Sequence, residues 1–141
     1  MGVEISRGVL QRILVRAASE PEREVCGLLL ASPQRVVETK PVANVSANPA
    51  DSFEIDPAAL FAALRAERAG GPRLIGHYHS HPNGLAIPSE RDAMMATSPG
   101  RLWLIVASGK ARLWREVSGG AVHGAFEPVE LLTDGADEGC A

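Results

Sequence analysis

The sequence predicts a domain of the α+β class, α/β-like in arrangement, in which one mixed β-sheet is flanked by two main helices and a short helix. Two observations lead to this class. Segments in which apolar residues recur at helical spacing are interspersed with short apolar runs typical of buried strands. In addition, 141 residues with 45% hydrophobic and 22% charged residues have the size and composition of one globular domain.

The first three elements are a strand, a helix and a buried strand. A short strand is expected at residues 3–5 and leads into a helix capped by Ser6. Apolar residues follow Ser6 at intervals of three and four positions, and Pro21 closes the segment. The compact apolar run 25–31 then predicts a strand that is buried on both faces.

The next part of the chain predicts two short strands and the second helix. The strands are expected at 35–40 and 52–55, separated by a turn-rich stretch. The helix begins at Asp56–Pro57, because a capping carboxylate followed by proline at the first helical position is a common start. Its buried face is expected to carry Leu60, Phe61 and Leu64.

The second half predicts a strand, a short helix and a run of antiparallel strands. A strand over 73–81 ends at a proline, and a short helix is expected over 89–97. The strongly apolar run 102–107 predicts another buried strand. Further strands are expected at 111–117 and 121–126, with a turn at 118–120 between them.

Composition excludes several classes of function. The net charge of −3 gives no reason to expect a nucleic-acid partner, and no apolar run is long enough to span a membrane. With only Cys26 and Cys140, 114 positions apart, a cytoplasmic protein is expected. We expect a monomer or weak homodimer with one domain over 1–132 and an acidic, disordered tail over 133–141.

Three of the four histidines lie within five residues, and this cluster predicts a metal site. His77, His79 and His81 alternate along the predicted strand, so their side chains share one face. Neighbouring pairs are about 6.5 Å apart along the strand, close enough for two imidazoles to bind one ion. The outer pair is too far apart, so one adjacent pair is expected to bind and the third histidine to be a bystander.

A zinc site needs a third ligand, and the short helix supplies a candidate. Ser89 and Asp92 are three positions apart in its first turn, so they lie on one face. The pair is also a common helix cap, which is the alternative interpretation. The nearby histidines favour the ligand interpretation. Two histidines and a carboxylate would also suit iron or manganese.

These segments resemble the motif of the JAMM (MPN-plus) metallopeptidase family. The motif has the form His79-Ser-His81-Pro, then Ser89-Glu-Arg-Asp92 seven positions later, with Glu24-Val-Cys-Gly-Leu-Leu well upstream. The stretch Phe53-Glu-Ile-Asp-Pro is similar to the small bacterial and archaeal branch. The resemblance extends over roughly residues 3–126 and implies the fold shared by MPN domains and cytidine deaminases.

The resemblance implies a role for each residue of the motif. His79, His81 and Asp92 would bind one zinc ion, and a water would complete its coordination. Glu24 would be the general base, and Ser89 would hydrogen-bond the oxyanion of the tetrahedral intermediate.

Two residues near this motif have no role in it. His77 is expected to be a bystander. For Cys26, which shares strand parity with Glu24, two interpretations stay open. It is either a thiol that acts at the site, as a ligand or a redox switch, or a small buried residue beside Gly27.

The function implied is that of a zinc-dependent isopeptidase. Its partner would be a ubiquitin-like or sulfur-carrier protein with a Gly-Gly tail, cleaved at the amide bond after that tail. Two alternatives remain at this point. One is a non-catalytic MPN scaffold, although this sequence retains all five residues of the motif. The other is a hydrolase of cell-wall-type peptides.

Overall fold

A computed structural model describes residues 2–33 and 35–133 of the chain. Within these residues it contains three helices and eight strands, and all the helices precede the fifth strand. The helices are α1 (Arg7–Ser19), α2 (Pro57–Arg68) and α3 (Glu90–Met95). The strands are β1 (Val3–Ile5), β2 (Cys26–Ala31), β3 (Arg35–Val42), β4 (Arg73–Ser80), β5 (Leu102–Ala107), β6 (Lys110–Gly120), β7 (Gly124–Val129) and β8 (Leu131–Thr133).

The eight described strands form one mixed sheet in the order β7-β6-β5-β4-β2-β3-β1-β8. Strand β4 is central: it runs parallel to β5 and antiparallel to β2. Strand β1 is parallel to both β3 and β8, and the other neighbours are antiparallel. A mixed sheet with three flanking helices confirms the predicted α+β class.

Two hydrophobic clusters cover the two faces of the sheet. Helix α1 packs on one face, where its Val9 and Ile13 join Tyr78 of β4. Helices α2 and α3 pack on the other face, which carries the buried rings of Phe53 and Trp103. In the last part of β4, Tyr78 faces α1, whereas His77 and His79 on either side of it face the cluster under α2 and α3.

Partly buried polar contacts attach α1 to the middle of the sheet. The Arg16 guanidinium donates to the Tyr78 hydroxyl at 2.7 Å, to the Val42 carbonyl oxygen at 3.1 Å and to the carbonyl oxygen of Cys26. The Tyr78 ring lies directly over Gly27, where a Cβ atom would be 2.2 Å from Cε2 of the ring. Only glycine fits at this position of β2.

The prediction of a strand at 52–55 is wrong. Only Ile55 forms an isolated bridge, with Asn44. Hydrogen bonds within the loop occupy the backbone instead; for example, the Ser52 N–H donates to the Asn48 carbonyl oxygen at 3.0 Å. This loop, not a strand, connects β3 to α2.

The turn predicted at 118–120 also lies elsewhere. Strand β6 continues through these residues, and Gly120 pairs with Gly124 across a turn at 121–123. His123 and Gly124 adopt positive φ angles of 53° and 68°, which reverse the chain there. Strand β7 consequently occupies 124–129 instead of 121–126.

The buried face predicted for α2 is partly wrong. Leu60 and Phe61 are 37% and 65% exposed, whereas Ala63 is 6% exposed. Ala59 and Leu64 pack beside Ala63 against the sheet, so the side of α2 that faces the sheet is mostly alanine.

The C-terminal strand β8 was not predicted. It pairs with β1, so Thr133, assigned to the tail, is the last residue of a strand. The rest of the predicted tail, 134–141, lies outside the described residues. No helix in the described part of the chain is long and apolar enough to cross a membrane.

Candidate active site

The two histidines of the motif lie at the end of the central strand. His79 is the penultimate residue of β4, and His81 follows its last residue. The backbone stays paired at His81, whose N–H donates to the Val106 carbonyl oxygen at 2.9 Å. Because residues two apart on an extended chain face the same side, the imidazoles converge. Their Nε2 atoms are 2.9 Å apart.

Helix α3 brings a carboxylate against these imidazoles. Ser89 caps the helix, with its Oγ accepting from the Asp92 N–H at 3.0 Å. Asp92 Oδ2 accepts from the Ser89 N–H at 2.9 Å, which completes a capping box. The same oxygen lies 3.4 Å from His79 Nε2 and 3.1 Å from His81 Nε2. The helix cap thus orients the carboxylate toward the histidines, and the two interpretations of the Ser–Asp pair are compatible.

These three ligand atoms fit a small metal cation. His79, His81 and Asp92 are 0%, 5% and 3% exposed, so their polar atoms meet away from solvent. Ligands about 2.0–2.2 Å from a tetrahedral ion are separated from one another by about 3.3 Å. Imidazole lone pairs and a carboxylate oxygen are all acceptors, so such an approach requires a proton or a cation among them.

The two imidazoles are held in different ways. His81 Nδ1 donates to the Leu85 carbonyl oxygen at 2.8 Å, which leaves the Nε2 lone pair of the neutral ring for a metal. His79 Nδ1 is buried and has no hydrogen-bond partner in the described structure. Its ring instead stacks on Phe53, with centroids 4.2 Å apart and planes 19° from parallel. Packing therefore takes the place of a hydrogen bond at His79.

Glu24 lies beside this group, immediately before Val25 and β2. Its side chain is buried, and Oε1 has no hydrogen-bond partner among the described residues. Burial raises the pKa of Glu24 to about 7; the charges of Asp92 and Asp51 add to this effect, and those of His81 and Arg91 oppose it. A carboxyl group that titrates near neutral pH is suited to accept and return a proton.

The pKa of Asp92 is shifted in the opposite direction to that of Glu24. Burial alone would raise the pKa of Asp92, but hydrogen bonds from His79, His81 and the Ser89 N–H outweigh it and lower the pKa well below its usual range. Burial lowers the pKa of His79. Burial would also lower the pKa of His81, but the hydrogen bonds with Asp92 and Leu85 and the charges of Asp92 and Glu24 together outweigh burial and raise it. The site therefore pairs a permanent anion with a carboxyl that titrates near neutrality.

A second set of three possible ligands overlaps the first. One ligand atom each from Glu24, His79 and His81 lie within 4.8 Å of one another. Asp92 Oδ2 lies within hydrogen-bonding distance of both imidazoles, at 3.1 and 3.4 Å. The distances thus favour Asp92 over Glu24 as the third ligand.

The group opens into a cleft of about 540 Å³. Glu24, His81 and Ser89 line the cleft together with Asp51 and Arg91. The last two form an ion pair at 3.4 Å at its exposed edge. Exposed ion pairs contribute only about 0–1 kcal/mol, so this pair is no barrier to a bound chain.

Among the described residues, neither His77 nor Cys26 belongs to the group of possible metal ligands. The His77 ring centroid is 6.4 Å from that of His79 and packs against Trp103 at 4.4 Å, and burial lowers its pKa to about 3. Cys26 is fully buried, with Sγ 3.8 Å from the Val42 carbonyl oxygen, and burial raises its pKa to about 11. These surroundings favour the packing interpretation of Cys26.

Three contributors to the site were not identified from the sequence. Leu85 acts through its backbone, which no side-chain pattern reveals. Phe53 was noted only as part of the resemblance, and Asn44 only as part of a turn-rich stretch. Asparagine is common in turns, so its position carried no distinct signal.

The chain matches a model of known families along most of its length. The model describes prokaryotic homologs of the JAB domain and matches residues 6–117. That range includes the five residues of the motif: Glu24, His79, His81, Ser89 and Asp92.

Two curated proteins are similar in sequence. A desampylase of Haloferax volcanii is 38% identical over 91 residues, which is 63% of this chain and 66% of that protein. A probable TtuB-protein conjugate cleaving protease of Thermus thermophilus is 38% identical over 88 residues, 62% of this chain and 59% of that protein. The aligned part of the chain thus spans less than two thirds of either relative.

Two solved structures share the fold. A solution structure of a Desulfitobacterium hafniense protein superposes with a TM-score of 0.78 at 22% identity, covering 94% of this chain and 92% of the other. A JAB1/MPN domain protein from Archaeoglobus fulgidus gives 0.62 at 24% identity, covering 94% and 98%. Together with the family match, this likeness confirms the resemblance: the chain belongs to the small prokaryotic JAB/MPN branch of the JAMM family.

Proposed function

We propose that this protein is a zinc-dependent JAMM-type isopeptidase. It would hydrolyse the amide bond after the C-terminal tail of a ubiquitin-like or sulfur-carrier protein. One observation carries the proposal: three ligand atoms of His79, His81 and Asp92 lie within 3.4 Å of one another, beside the buried carboxyl of Glu24. The names of the two curated relatives support conjugate cleavage as the activity.

One zinc ion per chain would be held by His79, His81 and Asp92. Two neutral imidazoles and one carboxylate leave a single positive charge on the site and a fourth position open. Bound there, zinc would supply Lewis acidity, lowering the pKa of a water toward 7 and polarising the substrate carbonyl.

Glu24 would act as the general base. Its carboxylate takes a proton from the attacking water and then gives that proton to the nitrogen of the leaving amine. Water and amide become carboxylate and amine, and Glu24 is regenerated. The raised pKa of Glu24 supports this role, because a base that titrates near neutral pH can perform both transfers.

Ser89 would stabilise the developing oxyanion. Its Oγ already accepts a hydrogen bond from the Asp92 N–H, so the hydroxyl hydrogen is available to donate into the cleft. A single donor of this kind contributes about 3 kcal/mol to catalysis.

The burial of these groups supports a slim substrate tail. Glu24, His81 and Asp92 are only 3–5% exposed, so an amide bond must enter the cleft deeply to reach them. A Gly-Gly end has no side chains beside the scissile bond and fits this requirement. The leaving amine would belong to a protein lysine or to a single amino acid.

The test is cleavage of a Gly-Gly-tailed ubiquitin-like protein joined to a lysine amine, with metal content measured on the same preparation. We expect one zinc per chain, activity that chelation removes and zinc restores, and loss of activity in Glu24→Gln. Glu22→Gln is the matched control, since Glu22 is exposed and lies two positions away. Full activity of Glu24→Gln or of stripped protein would disprove the mechanism.

The same experiment, with a cell-wall-type peptide as a second substrate, separates the alternatives. Absence of both zinc and cleavage would favour a non-catalytic scaffold. Zinc binding with cleavage of cell-wall peptides alone would favour the other hydrolase. The cytoplasmic location and the monomeric or weakly dimeric state belong to the proposal as well, and sedimentation velocity tests the latter.

A further inference from the structure

One asparagine in the loop between β3 and α2 uses its whole side-chain amide for hydrogen bonds. Asn44 Nδ2 donates to the carbonyl oxygens of Glu24 at 2.8 Å and Ser52 at 3.0 Å. Its Oδ1 accepts from the N–H groups of Ser46 and Glu54, both at 3.0 Å. Two donor and two acceptor positions are all that this amide has. Asn44 is thus joined both to Glu24 and to the loop itself.

The 44–54 loop holds the backbone of Glu24 on both sides. The Glu24 N–H donates to the Pro49 carbonyl oxygen at 2.6 Å, and Asn44 binds the Glu24 carbonyl oxygen. The next residue, Val25, is fixed by the sheet, where its N–H donates to Ser80 Oγ at 2.9 Å. Since Oε1 of Glu24 has no hydrogen-bond partner in the described structure, its place depends on this backbone.

The same loop presents Phe53 to the metal-binding group. Phe53 is 3% exposed and stacks on the His79 ring, whose Nδ1 lacks a hydrogen bond among the described residues. The residues on either side of Phe53 are Ser52 and Glu54, and Asn44 binds the backbone of both. One side chain therefore links the backbone of Glu24 to the ring that orients His79.

We propose that Asn44 is a positioning residue that fixes the placement of Glu24 relative to His79. It touches no reacting atom and acts through the Glu24 carbonyl and through Phe53. The inference rests on the proposed function, in which Glu24 is the base and His79 a metal ligand. Without Asn44 both groups keep their chemistry but lose their relative placement.

The alternative is that Asn44 only stabilises a loop. Other bonds do that: Ser46 Oγ and Ser52 Oγ are 2.6 Å apart, and Ser52 Oγ donates to the Asn48 carbonyl oxygen at 2.9 Å. Ser46→Ala removes the first of these and leaves the Asn44 side chain in place. It is the matched loop control, and Ile13→Ala, in the core under α1, controls for lost stability.

The experiment compares Asn44→Ala with both controls in three measurements. The first measurement is zinc affinity, by chelator competition. The second is the hydrogen-exchange rate of the Glu24 amide in metal-free protein. The third is kcat and KM on the conjugate. We expect Asn44→Ala to weaken zinc binding about 10- to 100-fold, as loss of outer-shell support does. We also expect about tenfold faster exchange at Glu24 and a lower kcat with little change in KM. Both controls should stay within about threefold of wild type in all three measurements.

A second variant tests the donated bonds directly. Asn44→Asp keeps the shape and the bonds accepted from Ser46 and Glu54 but cannot donate to the Glu24 carbonyl oxygen. We expect the same losses as in Asn44→Ala, and wild-type values here would overturn the proposal. Equal losses in Ser46→Ala or Ile13→Ala would overturn it too.

The outcome is separable from that of the proposed function. If wild type binds zinc and cleaves no conjugate, the zinc affinities still decide the role of Asn44. If wild type binds no zinc, the proposed function fails. Exchange at the Glu24 amide then shows on its own whether Asn44 holds that backbone.

Discussion

Replacing Glu24 by glutamine is expected to make the metal-free protein more stable and the enzyme inactive. The carboxyl is buried, Oε1 lacks a hydrogen-bond partner among the described residues, and two further carboxylates, Asp51 and Asp92, act on it. Ionising such a group costs free energy in the folded state only. Glutamine keeps the size of the side chain and removes the charge.

The pKa of Glu24 sets the magnitude. Burial raises it from 4.5 to about 7. Each tenfold change in proton affinity is worth about 1.4 kcal/mol, so the ionised carboxylate costs at most about 3.5 kcal/mol. Because the pKa of Glu24 is higher in the folded than in the unfolded protein, the folded protein is more stable when Glu24 is protonated. The cost is absent below about pH 4.5, grows between pH 4.5 and 7, and is constant above.

Urea unfolding of EDTA-treated protein, followed by the fluorescence of the buried Trp103 and Trp114, measures this cost. At pH 8 Glu24→Gln should unfold with a free energy higher by up to about 3.5 kcal/mol, and the gain should vanish near pH 4.5. Glu22→Gln, an exposed neighbour, should differ from wild type by less than about 0.5 kcal/mol at both pH values. With zinc restored, Glu24→Gln should lose about 100- to 10,000-fold in kcat.

Two results would refute this reasoning. One is a Glu24→Gln protein that is less stable than wild type at pH 8. The other is a stability difference that stays the same from pH 8 to pH 4.5, since a cost of ionisation must follow the titration of the group.

Three further predictions concern a ligand, a thiol and a glycine. Asp92→Asn should retain the fold and weaken zinc binding at least about tenfold in chelator competition, because one anionic ligand is lost. Cys26, whose pKa is raised to about 11, should react with iodoacetamide about 100-fold more slowly in native than in urea-unfolded protein. Peptide mass spectrometry distinguishes its modification from that of Cys140. Equal rates in the two states would contradict the burial of Cys26. Gly27→Ala should cost about 1–3 kcal/mol in urea unfolding, since its Cβ would meet the Tyr78 ring at 2.2 Å; an unchanged midpoint would refute the close contact.

Much of the fold followed from local patterns. Apolar runs identified the buried strands β2 and β5, and a capping carboxylate followed by proline located the start of α2. The patterns failed where a residue's neighbours come from elsewhere in the chain. Leu60 and Phe61 were expected on the buried face of α2, yet the side of this helix that packs on the sheet is mostly alanine.

The strand predicted at 52–55 failed for a related reason. Its alternating residues suit an extended chain, but Asn44 takes the Ser52 carbonyl oxygen and the Glu54 N–H as partners for its side chain. Those backbone groups are then not available for a sheet ladder. Phe53 consequently packs on His79 from a loop.

By itself the sequence predicted the α+β class and a metal site of histidines with Asp92, because histidine spacing on a strand and a Ser–Asp helix start are local geometry. The resemblance added the family and the roles of Glu24 and Ser89. Only the tertiary structure decided how those residues differ. It buries Glu24 and raises its pKa while hydrogen bonds keep Asp92 ionised, and it places Asn44 and Phe53 behind them. Burial and long-range hydrogen bonds depend on segments that are distant in the chain, and no local pattern contains them.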